Sequence, residues 1–467
     1  MKNREKKFLL SMLLILISTI CVLAQSSTEK LVRSAEELQA AFANASPGDV
    51  IVMQDGTWKD INIRAKGNGT KDKPITLKAQ TLGKVIISGN SSLLLSGEYL
   101  IVDGLHFKDG GTTSGYLIRF RDEKRQPANH SRITNIVVSE FNRPADGKSD
   151  VWVNLFGMYN RVDHCFFHGK TSPGRIMTIW RPTDAENRHQ IDHNYFKDVP
   201  LLGKNGAEAI GVGASNTSLS DSYTTIEYNL FENCNGEGEL LSIKSGRNII
   251  RSNTVVRSQS SISLRHGNNN LVEGNFIFGD RVARTGGIRL TGENHVIKNN
   301  YIQGLRGSRP AIGIIEGLED SPLHGYLQAK NITVAGNTMI DNELNLVVGD
   351  LYKPEKKQTM PLLNSSIKNN VIVGINEMYP LIKVMDESVH TTYQGNIIYN
   401  GLLVKQTGVK YENPGLMVSN GRYIYPVGSS LKGNIVESPL KRTDVGPSWI
   451  KGRWSELGIE DIPYVNH

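Results

Sequence analysis

Short apolar runs separated by polar turns fill this chain, and from about residue 133 they fall into one recurring phrase: an apolar residue, an asparagine three positions later, then more apolar residues. The phrase reads IDHNYF, IEYNLF, IRSNTV, VEGNFI, IKNNYI, VAGNTM, IKNNVI, YQGNII and LKGNIV, with asparagines at Asn194, Asn229, Asn253, Asn275, Asn300, Asn337, Asn370, Asn396 and Asn434. The shortest steps between them are 24, 22, 25 and 26 residues, and longer steps, up to 38, read as the same unit carrying an inserted loop. A period of that length built from β-rich segments predicts an all-β parallel β-helix, each repeat one coil of a solenoid whose stacking buries a continuous core. The asparagines are read as structural. Asn tolerates the left-handed conformation of a tight bend, and amides stacked at one bend on successive coils can hydrogen-bond in a ladder. Strands on adjacent coils lie about 4.8 Å apart, so a residue repeated at the period has its counterpart directly above it.

The ends of the pattern differ from its middle. SAEELQAAFANASPGD pairs Ser34 with Glu37 as a capping box and sets Leu38, Ala41 and Phe42 on one helical face, predicting a capping helix over about 34–45. From about residue 405 the repeat loosens into NPGLMVSNGRYIYPVGSS, and the tail over about 440–467 is predicted to cover the second end of the stack. No boundary for a separate globular unit is visible, so residues 25–467 are read as one catalytic solenoid domain. A second register aligns glycines: LSIKSG, SLRHG, IRLTG and IIEG end at Gly246, Gly267, Gly292 and Gly317, with steps of 21, 25 and 25. In that alignment Lys244 and Arg265 occupy equivalent places on consecutive coils, and His266 and Glu316 each stand just before a glycine.

Composition then narrows the setting. Lys2, Arg4, Lys6 and Lys7 precede a mostly apolar run from Phe8 to Leu23, which predicts a secretory signal peptide over 1–24. The protein is expected to be secreted or periplasmic; a lipoprotein centred on Cys21 is the lesser reading, because Ile20 is not the small residue that should precede such a cysteine. Beyond the leader no apolar run is long enough for a membrane span. The chain's net charge of +7 loses four cations and one anion with the leader, a balance too mild for a nucleic-acid binder but compatible with an anionic substrate. Cys165 and Cys234 fall on different coils, so they are expected to be buried thiols rather than a disulfide. The chain is expected to act as a monomer.

The chemistry concentrates between Asn205 and Gly267, in NGAEAIGVG, NCNGEGELLSIKSG and ISLRHG. Glu237 and Glu239 are one residue apart and face the same way on an extended segment. With the amide oxygen of Asn205 they form an oxygen-only donor set suited to calcium, which tolerates irregular carboxylate sites better than magnesium does. Lys244 and Arg265 put cations beside these anions. Such a pairing suits elimination from a uronic acid: the carboxylate is neutralised, a base (Lys244) takes the neighbouring proton, and Arg265 stabilises the resulting anion and assists the leaving oxygen. His266 is a candidate helper or glycan contact. Arg289 in GIRLTG, Glu316, Trp180 and Arg181 in WRP, and His324 and Tyr326 in SPLHGY are further candidates for substrate binding. Arg289 is the natural partner for a neighbouring uronate, since guanidinium matches carboxylate geometry.

On these segments, together with GGIRLTGENHVIKNNYI and the helix before the repeat, the sequence resembles polysaccharide lyase family 6, the alginate lyases and chondroitinase B type enzymes. The resemblance covers most of the chain beyond the leader. It implies a right-handed parallel β-helix, a calcium site at Asn205, Glu237 and Glu239, Lys244 as base and Arg265 as acid or stabiliser. The family more often has NGGE where this chain has NGAE, and Ala207 adds only a methyl group. The implied substrate is an anionic polysaccharide, alginate first and a sulfated glycosaminoglycan second. A hydrolase would need a paired carboxylic acid and base, and no Asp-Asp dipeptide occurs. A non-catalytic glycan-binding solenoid remains as the other class of reading, since a fold does not by itself give a function.

Overall fold

The computed structural model describes residues 29–459 apart from 204, 387–388, 403–405, 420, 436–437 and 458; the expected leader and the last residues of the tail lie outside the described residues. Three parallel sheets run along the molecule, two of fourteen strands and one of thirteen among the described residues. One coil shows the plan: Ile249–Arg251, Thr254–Val256 and Ser261–His266 belong to the first, second and third sheets, and pair in parallel with Leu271–Glu273, Phe276–Phe278 and Ile288–Leu290 of the next coil. This is the predicted parallel β-helix. Strands of two to seven residues expose alternate side chains to the core, which is filled by stacked rows such as Phe167, Phe196 and Phe231, with ring centroids 5.2 and 4.7 Å apart. No helix among the described residues is long and apolar enough to cross a membrane.

The asparagine ladder occupies the bend between the first and second sheets. Asn194 Nδ2 donates to Asn229 Oδ1, Asn229 to Asn253, Asn253 to Asn275, Asn275 to Asn300, Asn300 to Asn337, Asn337 to Asn370 and Asn370 to Asn396, all at 2.9–3.0 Å. Two details differ from the sequence reading. The left-handed residue of the bend is the one before each asparagine: His193 (φ 55°), Tyr228 (φ 52°), Ser252 (φ 52°) and Asn299 (φ 54°), with glycine at 274, 336 and 395. The outward-facing residue absorbs the bend, which leaves the asparagine amide buried along the stack. Asn434 is not a rung. It lies in the short helical turn Lys432–Asn434 and donates to Asn369 O from a half-buried position. A second, mixed ladder that the repeat did not reveal lines the bend between the third and first sheets, where Asn248 Nδ2 donates to Asn270 Oδ1 and Asn270 N to His295 Nδ1.

Helix α1, Ala35–Ala43, buries Leu38, Ala41 and Phe42 and packs against strand Asn62–Asn68. Ser34 accepts from Glu37 N as predicted, but the Glu37 carboxylate reaches back to Arg33 N rather than to the cap residue. The tail corrects a larger expectation. Instead of closing the far end, its described part runs back along the outer face of the second sheet, with Leu440 N bonded to Thr254 Oγ1, Gly446 N to His193 O and Trp449 Nε1 to Asn135 O. Apolar residues on that face draw it there: Trp454 is buried edge-on against Phe166 and Tyr195, at 5.2 Å from each, and a fully buried large side chain contributes about 1.5–3 kcal/mol. Cys165 and Cys234 are free and buried, as expected.

On the outer surface of the first sheet, Arg132 donates to both carboxylate oxygens of the fully buried Asp163, at 2.6 and 2.5 Å, while Arg161 pairs with Asp192. Burial raises the Asp163 pKa, but hydrogen bonds from Arg132 and His164 and the charges of Arg132 and Arg161 outweigh it and hold it at about 2. An unfolded aspartate titrates near 3.9. The depressed folded value therefore contributes stability that is present above about pH 4 and lost as pH falls through the folded value of about 2. Asp163→Asn is expected to lower stability by about 2–3 kcal/mol at neutral pH, with the gap from wild type closing over that acid window in denaturant titrations.

Candidate active site

The third sheet carries the candidate chemistry, and its inward residues fix which side chains face out. Leu241 and Ile243 of strand Glu239–Lys244 are buried in register with Ile262 and Leu264, which in turn match Ile288 and Leu290. Period-two alternation then turns Ser242 and Lys244 outward. Along the axis Thr178, Gly211, Ser242, Ser263, Arg289 and Gly313 form one outward row, each in register with the next. The hydroxyls of Thr178, Ser242 and Ser263 are buried without a hydrogen-bond partner, so this row is a floor of available polar groups.

The glycine alignment is off by one residue at the centre. After Ile243 opposite Leu264 the register shifts, and Lys244 lies opposite His266. Arg265 is the extra residue of a β-bulge, a feature that re-aims a side chain. Its guanidinium lies with Nε 3.8 Å from Glu239 Oε1, with Nη1 and Nη2 donating to Gly325 O at 2.8 Å and His324 O at 3.2 Å. The Tyr326 ring centroid is 4.2 Å from its Cζ. His266 is buried and its Nδ1 has no hydrogen-bond partner. Burial, then the charges of Arg265, Lys244 and His324, push its pKa down to about 3, so it is a neutral imidazole among cations.

On the neighbouring coils Glu208, Glu237 and Glu239 converge, each offering a carboxylate oxygen within 4.8 Å of the others. Arg175 holds Glu208 from behind with two hydrogen bonds, at 2.6 and 2.9 Å, and lies across Gly211, where a Cβ would meet its Nε at 2.8 Å. Arg175 thus offsets one of three negative charges. Glu237 retains a buried Oε1 with no hydrogen-bond partner, and burial together with the charges of Glu208 and Glu239 pushes its pKa up to about 8. Three crowded carboxylates with an orphaned buried oxygen are a donor set that fits a hard divalent cation. Asn205 lies exposed in the same turn, three residues before Glu208.

The remaining predicted residues divide. Arg289 projects from the row between Ser263 and Gly313, and its charge acts on Asp350. Glu316 is buried beside Asp386; burial and that second carboxylate push its pKa up to about 8. Trp180 is 39% exposed, stacked at 6.0 Å on Phe156 and bonded through Nε1 to Asn154. Arg181 is buried, and its guanidinium donates to Asn187 and Ser220, so it ties a loop together. Sequence reasoning missed Arg175 and Arg309. Arg309 donates to Gln259 O and Arg284 O and passes over Gly238, where a Cβ would meet its Nη2 at 3.0 Å. Neither arginine sits in a repeated motif, so only the fold reveals them.

A family model described as Chondroitinase B matches residues 32–430. The solved structure of the PL6 family alginate lyase AlyGC is 37% identical, with a TM-score of 0.85 over 90% of this chain; the chain spans 59% of that protein's length. A mannuronic acid specific polysaccharide family 6 lyase from human gut microbiota is 28% identical, with a TM-score of 0.77 over 92% of this chain and 98% of its own. The PL6 family polysaccharide lyase Pedsa3628 from Pseudopedobacter saltans is 29% identical, with a TM-score of 0.72 over 90% of this chain and 99% of its own. No curated protein matches. With a parallel β-helix, a cationic centre flanked by a carboxylate cluster and a family match across most of its length, the chain belongs to the chondroitinase B type enzymes of polysaccharide lyase family 6.

Proposed function

We propose that this protein is an exported lyase that cleaves alginate by β-elimination at a uronic acid. The observation that carries the reading is the meeting of Lys244, Arg265 and His266 on two paired strands, beside the cluster of Glu208, Glu237 and Glu239. Lys244 accepts the C5 proton of the uronate. The C4–O bond then breaks, its electron pair leaving with the glycosidic oxygen, which takes a proton from solvent water beside Arg265 and His266. A double bond remains between C4 and C5, conjugated with the carboxylate. Arg265 supplies positive charge where negative charge develops. Arg289, one coil further on, is placed to pair with the carboxylate of an adjacent sugar. Asn205 with the three glutamates would hold a calcium ion, which when bound supplies Lewis-acid neutralisation of the reacting carboxylate. Alginate is favoured because several similar structures are described as alginate lyases. The family description itself supports the second reading, a lyase of chondroitin or dermatan sulfate.

The conjugated product absorbs in the ultraviolet, which hydrolysis products do not. Purified enzyme mixed with polymannuronate, polyguluronate, alternating alginate and dermatan sulfate is expected to give rising absorbance on an alginate substrate. A rise on dermatan sulfate alone would replace alginate with the second reading, and binding without absorbance would leave a glycan-binding solenoid. Chelator is expected to suppress the signal and added calcium to restore it. As a check independent of activity, calcium at about 100 times its Kd should stabilise the fold by about 2.7 kcal/mol, and the triple replacement of Glu208, Glu237 and Glu239 by glutamine should remove that shift.

A further inference from the structure

Arg265 is a long side chain on a bulge, and nothing on its own strand fixes its head group. Beyond the ion pair of its Nε with Glu239 Oε1 at 3.8 Å, the fixing comes from about sixty residues away. Gly325 O and His324 O accept from its two terminal nitrogens, and the Tyr326 ring lies against one face of the guanidinium. A cation over an aromatic face contributes about 0.5–2 kcal/mol, and the two carbonyls add direction. Together they hold both terminal nitrogens and keep the cation over the ring. The loop is itself braced. Leu318 N bonds to Tyr326 O and Gly325 N to Pro322 O, while Gly317 and Met360 exchange two backbone hydrogen bonds, at 2.9 and 3.0 Å. The buried Gln358 side chain donates to Glu316 O, and Thr359 Oγ1 to the Glu319 carboxylate.

Resting on the lyase reading of this site, we infer that Tyr326 is a positioning residue: with the carbonyls of His324 and Gly325 it sets the orientation of Arg265 and does not contribute to binding of the polymer. The sequence alone suggested a glycan contact for both side chains. The geometry gives His324 a role through its backbone and Tyr326 a role through its ring face, so the phenol hydroxyl has no part in the clamp.

The test compares Tyr326→Ala and Tyr326→Phe with wild type in steady-state kinetics, and follows the Arg265 Nε–Hε resonance by NMR, assigned by its disappearance in Arg265→Lys. Tyr326→Ala is expected to lower kcat roughly 10- to 100-fold, the size of effect that a small misplacement produces, with KM changed less than about twofold. Tyr326→Phe should retain most of the wild-type kcat, and the arginine resonance should be sharp in wild type and Tyr326→Phe but broadened in Tyr326→Ala. A rise in KM with kcat intact, or equal losses in Ala and Phe, would overturn the inference in favour of a substrate contact. So would an unchanged arginine signal in Tyr326→Ala. If wild type eliminates none of the polymers while the NMR differences hold, the lyase reading fails and the clamp on Arg265 stands.

Discussion

Lys244→Ala is expected to cut elimination activity by roughly 10²- to 10⁴-fold, the span by which a positioned acid–base group accelerates a proton transfer. The residue ends strand Glu239–Lys244 with Ile243 turned into the core, so its own side chain faces out of the solenoid. Its charge acts on both Glu208 and His266, so the side chain lies within electrostatic reach of the carboxylate cluster and of the cationic centre. No other lysine lies on the strands paired to either side of it. Because it leaves the core untouched, the replacement should change stability by no more than about 0.5 kcal/mol. The check is initial rate from ultraviolet absorbance, with circular dichroism and thermal unfolding on the same samples. Activity within tenfold of wild type in a folded Lys244→Ala protein would remove this lysine from the role of base, and a neutral His266 would be the next group to replace.

Asn253→Leu is expected to cost about 2–6 kcal/mol. The amide of Asn253 is fully buried, accepts from Asn229 N and Nδ2, and donates to Ile226 O and Asn275 Oδ1. Leucine has nearly the same volume, so little cavity forms. The loss comes from polar groups left behind: Asn229 N–H and Ile226 C=O are orphaned, at about 1–3 kcal/mol each. Since each coil of a solenoid leans only on its neighbours, the weakening should be local at first. Hydrogen exchange is expected to accelerate at the coils around residues 226–253 before the ends of the stack respond. Asn434→Leu is the control. Its phrase matches the repeat, but its half-buried side chain lies outside the ladder and donates to Asn369 O, so a smaller change, about 1 kcal/mol, is expected. Equal effects at both positions, read from urea midpoints at constant m-value, would contradict the ladder as the source of stability.

The contrast between Asn253 and Asn434 shows how far a motif carries. Both sit in an apolar phrase of the same form, and eight of the nine asparagines do join one ladder, because a rung needs only a coil above and a coil below at the right spacing. Asn434 fails for a reason outside its phrase: the chain has already left the stack, and the segment that follows is drawn back along the second sheet by Phe166, Tyr195 and their neighbours. At the candidate site the same division holds. Glu239, Lys244 and Arg265 were visible from spacing, whereas Glu237 meets Glu239 from a bend before the strand rather than by the alternation expected of an extended segment. The bulge at Arg265 was not visible, because a single added residue shifts register without leaving a mark in composition, and so His266 rather than Arg265 came to lie opposite Lys244.

What the sequence determined by itself is therefore whatever repeats: the parallel β-helix, its coil length, the buried asparagine ladder, the free buried cysteines and the neighbourhood of the acidic and basic motifs. Each follows from contacts between adjacent coils, whose sequence separation is the period. Tertiary structure alone decided the rest. It brought Glu208 to Glu237 and Glu239 and set Arg175 behind it, seated the loop at His324–Tyr326 on Arg265, and ran the tail back over residues more than three hundred positions earlier. The loop and tail contacts follow no common period, and Arg175, Glu208 and Glu237, although one coil apart from each other, stand in no repeated motif, so these contacts depend on where each loop and the tail find complementary charge or uncovered apolar surface once the coils have stacked.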